Sequence, residues 1–253
     1  MLRDFTKDKF DIIIQAGQSN AQGTAFGPAD APYAVNGRVW YMNEDDTISR
    51  AVEKVNGNRI QSNFALSFVR EYMSDGRLAE GRDLLIIRAA IGGTGFLDNR
   101  WKMSDDLYLH MMEMIRTALS LNAENHLVAL LWHQGETDAI HNATYDQHYH
   151  HLSTLLQSVR DTFNVPDLPF IAGDFVQKWK NERAEVSIPV SDAIRAVCED
   201  VGNGAFVESD GLLSNDEAGI KKNDIIHFCR NAIYELGVRY YRAYCDIVSK
   251  EQA

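Results

Sequence analysis

Residues 11–20 read D-I-I-I-Q-A-G-Q-S-N, a run of apolar and β-branched side chains that ends in small polar ones. The part over residues 11–16 predicts a buried strand, because it is short, apolar and bounded by a glycine. Comparable runs follow at residues 38–42, 83–88, 126–132, 169–174 and 205–208. Nearly continuous apolar runs of this length are typical of strands covered on both faces, as in a parallel sheet.

Helical periodicity fills the stretches between the predicted strands. Apolar residues recur at helical spacing over residues 62–74, 104–121, 144–163, 191–201 and 228–248. Alternating strands and helices predict right-handed βαβ units and an α/β doubly wound sheet. No linker or repeat interrupts this order, so we expect one domain over residues 1–253. Residues 23–38 and 43–61 are expected to be long loops, which are long enough to cover a site.

The chain is acidic, with a formal net charge of -11. This balance disfavours binding to nucleic acids and to anionic membranes, because their phosphates would be repelled. The cysteines Cys198, Cys229 and Cys245 form no paired motif, which is typical of a reducing compartment. The N-terminal segment is charged and lacks an apolar run, so we expect a cytoplasmic protein. The sequence does not decide whether the chain forms a homo-oligomer.

Small and polar residues cluster at the ends of three predicted strands. The clusters are G-Q-S-N at residues 17–20, G-G-T-G at residues 92–95 and H-Q-G-E at residues 133–136. A fourth cluster, N-D-I-I-H at residues 223–227, precedes the last predicted helix. Because parallel strands end at the same edge of a sheet, where α/β folds bind ligands, we expect these clusters to converge in space.

The converging residues include every group that acyl transfer requires. A serine hydroxyl needs a base, typically a histidine that a carboxylate holds in one tautomer. Ser19 can supply the hydroxyl, His227 the imidazole and Asp224 a carboxylate within one turn of it. The oxyanion needs hydrogen-bond donors, for which Gly93 offers an unshielded backbone N–H and Gln134 a side-chain amide.

Other interpretations of these clusters compete with this one. Glu136 is a second candidate for the carboxylate beside His227, although local reach favours Asp224. Ser19 alone could be a helix cap. The glycine cluster at residues 92–95 could bind nucleotide phosphates, but neither a dinucleotide fingerprint after the first strand nor a P-loop motif is present.

Two histidines also invite a metal interpretation. His148 and His151 share one face of a predicted helix at a spacing suitable for metal ligands. We expect this face to be exposed to solvent, and we predict no metal site.

The four clusters, in this order, resemble those of the SGNH hydrolases. The resemblance is to the branch of sialate O-acetylesterase-like domains and acetyl xylan esterases of carbohydrate esterase family 6, and it extends from Gly17 to His227. Two clusters depart from the broader superfamily, since G-Q-S replaces G-D-S and H-Q-G-E replaces G-x-N-D. Both replacements match the acetylesterase branch.

The resemblance implies a flavodoxin-like three-layer α/β/α sandwich with a central parallel sheet of about five strands, and neither metal nor cofactor. It assigns Ser19 as nucleophile, His227 as base and Asp224 as the partner of the base. It assigns the oxyanion hole to the backbone N–H of Ser19 together with Gly93 and Gln134.

The activity implied is that of a serine esterase that removes O-acetyl groups from carbohydrates of the sialic acid or xylan type. Gln18, Asn20, Arg100 and Trp101 lie in or shortly after the clusters and are the candidates for contacts with a small-molecule or oligosaccharide substrate. One alternative is a general short-chain carboxylesterase or thioesterase. An alternative of another class is a catalytically silent carbohydrate-binding protein on the same fold.

Overall fold

The computed structural model of the chain describes residues 3–28, 33–57 and 59–250. Within them the strands are β1 (Lys9–Gly17), β2 (Ala25–Pro28), β3 (Val39–Met42), β4 (Ile48–Arg50), β5 (Lys54–Asn56), β6 (Arg59–Ser62), β7 (Arg82–Ala90), β8 (His126–His133), β9 (Phe170–Gly173) and β10 (Gly204–Val207). The helices are α1 (Ser19–Gln22), α2 (Ala65–Ser74), α3 (Asp106–Ser120), α4 (Glu136–Ile140), α5 (Tyr145–Phe163), α6 (Gln177–Glu182), α7 (Ala184–Asp200) and α8 (Arg230–Lys250). Parts of the two predicted loops, residues 29–32 and 58, and both ends of the expected domain lie outside the described residues.

Seven of the described strands form one sheet in the order β10-β9-β8-β1-β7-β3-β4. Neighbouring strands are parallel, except that β4 runs antiparallel to β3. At the end of the central strand β1, Gly17 pairs with Ala90 of β7 and with His133 of β8. These three strands therefore end level with one another, which is why the polar clusters that follow them converge.

Helices flank the sheet and confirm the expected α/β/α architecture. Helix α2 packs against α8, α5 packs against α7, and α3 packs on β7 and β1. Ile12, Ile13 and Ile14 on β1 are all completely buried, as expected for a strand covered on both faces. Each such side chain contributes roughly 1.5–3 kcal/mol on burial.

The expected number of about five strands is wrong, because the sheet has seven. The predicted loops also contain a separate antiparallel sheet in the order β2-β6-β5. The unforeseen strands are three or four residues long; polar or charged side chains interrupt β4, β5 and β6, and β2 contains a glycine and a proline. Runs this short carry too little periodicity for a strand to be predicted from the sequence.

Helix α7 begins at Ala184, well before the predicted start at residue 191. Pro189 lies inside the helix, and a proline in a sequence usually indicates a helix boundary. None of the helices in the described ranges combines the length and apolar character that a membrane span requires.

Candidate active site

Ser19 begins the short helix α1, directly beyond the end of β1. Gly17 makes this turn possible, because its φ is +131° and a Cβ at this position would lie 2.1 Å from the carbonyl oxygen of His133. The backbone N–H of Gln18 donates to the same carbonyl at 2.9 Å. Only glycine allows the two strand ends to approach this closely, and the approach places Ser19 beside the H-Q-G-E cluster.

Three side chains at this edge form a continuous chain of hydrogen bonds. Nε2 of His227 lies 3.0 Å from Oγ of Ser19, and Nδ1 of His227 lies 2.7 Å from Oδ1 of Asp224. Because Nδ1 donates its proton to the carboxylate, Nε2 remains free to accept the proton of the hydroxyl. This is the arrangement in which a histidine activates a serine nucleophile.

Asp224 is held firmly in its place beside the imidazole. Its Oδ2 accepts hydrogen bonds from Lys221 at 2.9 Å and from Asn215 at 3.1 Å. Burial would raise the pKa of Asp224, but the hydrogen bonds from His227, Lys221 and Asn215 outweigh burial and lower this pKa well below its usual range. The carboxylate is therefore ionised at neutral pH and can accept the hydrogen bond from Nδ1 of His227.

Glu136, the alternative carboxylate, has a different partner. It begins helix α4 and is completely buried, and its Oε1 accepts a hydrogen bond from Nδ2 of Asn20 at 2.9 Å. Burial raises the pKa of Glu136, which favours its neutral form. Asn20 is also completely buried, and its contact with a substrate stays a prediction.

The glycine cluster after β7 lies against the nucleophile. A Cβ at Gly92 would be 3.4 Å from Cβ of Ser19, and the next residue, Gly93, is exposed with φ of +72°. In the described part of the chain, neither the backbone N–H of Ser19 nor that of Gly93 has a protein acceptor. These two N–H groups are thus available to a ligand, and their role in an oxyanion hole stays a prediction.

Gln134 does not offer its side chain to this space. The residue is completely buried, and its Nε2 donates to Oδ2 of Asp138 at 2.8 Å. Its amide is engaged inside the protein, and the role of Gln134 as an oxyanion donor stays a prediction.

Asp138 organises the glycine cluster, although it was not among the predicted site residues. It accepts hydrogen bonds from the backbone N–H groups of Phe96 at 3.1 Å and Leu97 at 2.8 Å. Burial would raise the pKa of Asp138, but His148 and these two N–H groups lower it. His148 is buried with Nδ1 3.4 Å from Oδ2 of Asp138, so the expectation that it faces solvent is wrong. The sequence does contain a signal for Asp138: it is a second acidic residue, two positions after Glu136, in the first turn of α4.

Gln18 and Trp101 also face the interior, and their contact with a substrate stays a prediction. Gln18 is 2% exposed, and its Oε1 accepts the backbone N–H of Thr137 at 3.1 Å, near the start of α4. Trp101 is 1% exposed, and its indole N–H donates to Oγ1 of Thr94 at 3.0 Å. Both residues stabilise the loops around Ser19.

Arg100 pairs with a carboxylate on the protein surface, and its contact with a substrate stays a prediction. Its Nε and one terminal nitrogen lie 2.8 Å and 2.9 Å from the two carboxylate oxygens of Asp106. The hydrogen bonds that Arg100 donates to Asp106 raise the pKa of Arg100. Across the described residues, no group of three or more His, Cys, Asp or Glu side chains is arranged to hold a metal ion.

A cavity of about 480 Å³, in the size range of ligand sites, begins at Gln22, the last residue of α1; Ser19 and His227 are not among its lining residues. Its polar lining residues are Gln22, Thr24, Tyr41, Asn43, Glu44, Asp45, Thr47, Lys54, Gln61, Asn63 and Arg88. Two of them contact the site directly: Oε1 of Gln22 accepts the N–H of Gly92 at 2.9 Å, and Oγ1 of Thr24 donates to the Ser19 carbonyl at 2.9 Å. Long loops were predicted for this part of the chain, but none of the residues that line the cavity was predicted as a site residue.

The cavity contains a guanidinium without an acidic partner. One terminal nitrogen of Arg88 donates to the carbonyl of Gln22 at 2.7 Å, and the guanidinium lies 4.9 Å from the ring centre of Tyr41. No carboxylate among the described residues pairs with it. Glu44, by contrast, accepts a hydrogen bond from Gln22 at 3.0 Å. The guanidinium of Arg88 therefore gives the cavity a positive charge that no carboxylate of the described residues neutralises.

Solved structures share this fold across almost the whole chain. NanS has a TM-score of 0.81 at 18% identity and covers 96% of this chain and 99% of its own. The protein AT4G34215 of Arabidopsis thaliana has a TM-score of 0.68 at 20% identity, covering 93% of this chain and 98% of its own. XAC1771, a carbohydrate acetylesterase of Xanthomonas citri, has a TM-score of 0.53 at 15% identity and covers 95% of this chain and 56% of its own.

Sequence comparisons agree with the structural ones. A probable carbohydrate esterase of Arabidopsis thaliana, At4g34215, is 27% identical over 142 residues, which are 54% of this chain. The match spans about half (51%) of that curated relative. A family model described as "Carbohydrate esterase, sialic acid-specific acetylesterase" matches residues 9–246. The chain therefore belongs to this family of carbohydrate esterases, whose members are carboxylic ester hydrolases.

Proposed function

We propose that the chain removes O-acetyl groups from carbohydrates by a mechanism that uses Ser19, His227 and Asp224. The observation that carries the proposal is the chain of two hydrogen bonds, 3.0 Å from Ser19 Oγ to His227 Nε2 and 2.7 Å from His227 Nδ1 to Asp224 Oδ1. These distances fall in the range over which a proton passes from a nucleophile to its base.

In the first half of the reaction Ser19 Oγ attacks the acetyl carbonyl carbon while His227 Nε2 takes the hydroxyl proton. The carbonyl oxygen becomes an oxyanion, which the backbone N–H groups of Ser19 and Gly93 stabilise. The intermediate collapses, the bond to the sugar oxygen breaks, and His227 gives its proton to that oxygen. The products are a free sugar hydroxyl and an acetyl-serine.

In the second half a water molecule attacks the acetyl-serine, and His227 accepts a proton from that water. A second oxyanion forms in the same place and collapses, which releases acetate and returns the proton to Ser19. Asp224 stabilises the imidazolium in both halves and does not itself become protonated.

The polar cavity supports a carbohydrate as the alcohol part of the ester. Its volume of about 480 Å³ and its amide, hydroxyl and charged side chains suit a polyhydroxylated group. A general esterase or thioesterase for longer acyl chains would need an apolar surface there. A silent binding protein would not need a complete set of nucleophile, base and carboxylate.

The first experiment measures hydrolysis of p-nitrophenyl acetate by the wild type, by Ser19→Ala and by Ser104→Ala. Ser104 is an exposed serine and serves as the matched control. We expect activity in the wild type and Ser104→Ala and none in Ser19→Ala. Equal rates for the wild type and Ser19→Ala would refute the proposal. Acetylated sialic acids and acetylated xylo-oligosaccharides are then compared as substrates.

A further inference from the structure

Asn20, the residue after the proposed nucleophile, holds the backbone on both sides of the proposed base. Its Nδ2 donates to the carbonyl of Ile226 at 3.1 Å, and its Oδ1 accepts the N–H of Phe228 at 3.2 Å. Ile226 and Phe228 are the neighbours of His227 in the chain. One amide side chain thus fixes the two peptide groups from which the imidazole projects.

The second proton of Nδ2 ties this arrangement to the third polar cluster. It is donated to Oε1 of Glu136 at 2.9 Å, at the start of α4. Asn20 and Glu136 are both completely buried, and no solvent can replace the bonds between them. The amide therefore links the loops that carry the nucleophile, the base and the H-Q-G-E cluster.

An asparagine is well suited to this position. The site requires two donors and one acceptor from a single short side chain, and a carboxamide provides all three. An aspartate would place a carboxylate against both the Ile226 carbonyl and Glu136, and an apolar residue would leave buried backbone groups without partners.

Asp224 and Asn20 act on different parts of the same histidine. The hydrogen bond from His227 to Asp224 sets the orientation of the imidazole ring, whereas Asn20 sets the position of the backbone from which the ring projects. Both are needed to keep Nε2 within 3.0 Å of Ser19 Oγ. A displacement of about 1 Å between reacting groups can cost roughly 10²-fold in rate.

We propose that Asn20 and Glu136 are positioning residues for His227, and that Glu136 acts on the base only through Asn20. This inference rests on the proposed function, in which His227 is the base. The positioning role depends only on the three hydrogen bonds of Asn20.

The test compares Asn20→Ala with Asn125→Ala. Asn125 is also buried, and its side chain accepts from the backbone N–H of Phe10 at 2.7 Å and donates to the carbonyl of Ala118 at 2.8 Å. It directly precedes β8 and therefore lies at the edge of the sheet opposite to Ser19. We expect Asn20→Ala to lower kcat for p-nitrophenyl acetate about 10- to 100-fold with KM within about twofold. Asn125→Ala should lose stability and keep its kcat.

Two variants of Glu136 give a second measurement in case Asn20→Ala does not fold. Glu136→Gln keeps an oxygen that can accept from Asn20 and should retain most of the activity. Glu136→Leu removes the acceptor and should lower kcat about 10-fold with little change in KM. Equal kcat values for these two variants would overturn the role of Glu136.

Spectra of protein labelled with ¹⁵N-histidine test the inference without relying on turnover. The His227 signals are assigned with the variant His227→Gln, and we expect them to shift in Asn20→Ala and to stay in place in Asn125→Ala. Unchanged signals together with an unchanged kcat would overturn the proposal. If the wild type hydrolyses no ester, the proposed function fails, and the spectra alone decide whether Asn20 positions the histidine.

Discussion

Nε2 of His227 lies 3.0 Å from Oγ of Ser19, although 208 positions separate the two residues in the chain. Strand β1 carries Ser19 to the edge of the sheet, and the loop before α8 brings His227 back to it. The distance is that of a hydrogen bond, so the pair is organised before any substrate binds. Several measurable consequences depend on the groups that maintain this contact.

Replacing Asp224 by asparagine should lower kcat on the order of 10³–10⁴-fold. The neutral amide cannot stabilise the imidazolium, and it can leave the proton of the imidazole on the wrong nitrogen. The measurement is steady-state hydrolysis of p-nitrophenyl acetate, with Asp161→Asn on the exposed side of α5 as control. A loss below tenfold would contradict the role given to Asp224.

Replacing Glu136 by glutamine should change how stability depends on pH. Burial raises the pKa of Glu136 above its ordinary value of 4.5, so the folded state retains a proton that the unfolded chain releases. The stability from this proton is present below about pH 4.5 and is lost as the pH rises through the folded-state pKa.

Glu136→Gln cannot lose that proton, so its unfolding free energy should rise relative to the wild type as the pH increases above 4.5. The difference should grow by up to about 1.4 kcal/mol per pH unit. Urea unfolding of both proteins at several pH values measures it. A difference that stays constant with pH would argue against a raised pKa.

Adding a methyl group at Gly95 should disturb the loop that carries Gly93. A Cβ at Gly95 would lie 2.6 Å from Oδ1 of Asp138, too close for either group to remain in place. We expect Gly95→Ala to cost about 1–3 kcal/mol of stability and to lower kcat as well. Gly37→Ala is the control, since its new Cβ would meet only the flexible side chain of Arg50 at 3.3 Å. Equal kcat values in the two variants would show that the loop around Gly95 does not contribute to the reaction.

Replacing Arg88 by glutamine should weaken the binding of acetylated sugars. The guanidinium lines the cavity without a carboxylate partner in the described residues, so it can pair with an acidic substituent of the sugar. We expect KM to rise about 10-fold for acetylated sialic acids and less for acetylated xylo-oligosaccharides. Values for p-nitrophenyl acetate should not change.

Arg116→Gln, an exposed arginine on α3, is the control for this experiment. If Arg88→Gln raised KM equally for both sugar esters and for p-nitrophenyl acetate, Arg88 would support the site as a whole and would not select the substrate.

The parts of the fold predicted from the sequence are those with a strong repeating pattern. Strands β1, β7 and β8 are long apolar runs, and their common end explains why the four polar clusters could be expected to converge. The small sheet β2-β6-β5 has no such pattern, because its short strands alternate with turns and carry polar side chains. The cavity that begins at Gln22 was therefore not predictable at the level of residues.

Within the site, the sequence indicated which residues come together but not which way each side chain faces. Gln134, Gln18 and Trp101 lie in or beside the correct clusters, yet all three are buried and bonded to neighbouring loops. Side-chain direction depends on where a strand ends and how the next helix begins, to within a single residue. Motif spacing does not determine that detail, and a supporting residue such as Asp138 is missed for the same reason.

The walls of the cavity come from residues 22–63 and Arg88, whereas the base and its carboxylate come from the loop before α8. The proposed sugar cavity and the proposed base with its carboxylate thus come from separate parts of the chain. Mutations in the small sheet can alter which alcohol is accepted without moving the proton relay. A change of substrate among related enzymes would then require substitutions only in the early part of the chain that lines the cavity, while the catalytic residues stay the same.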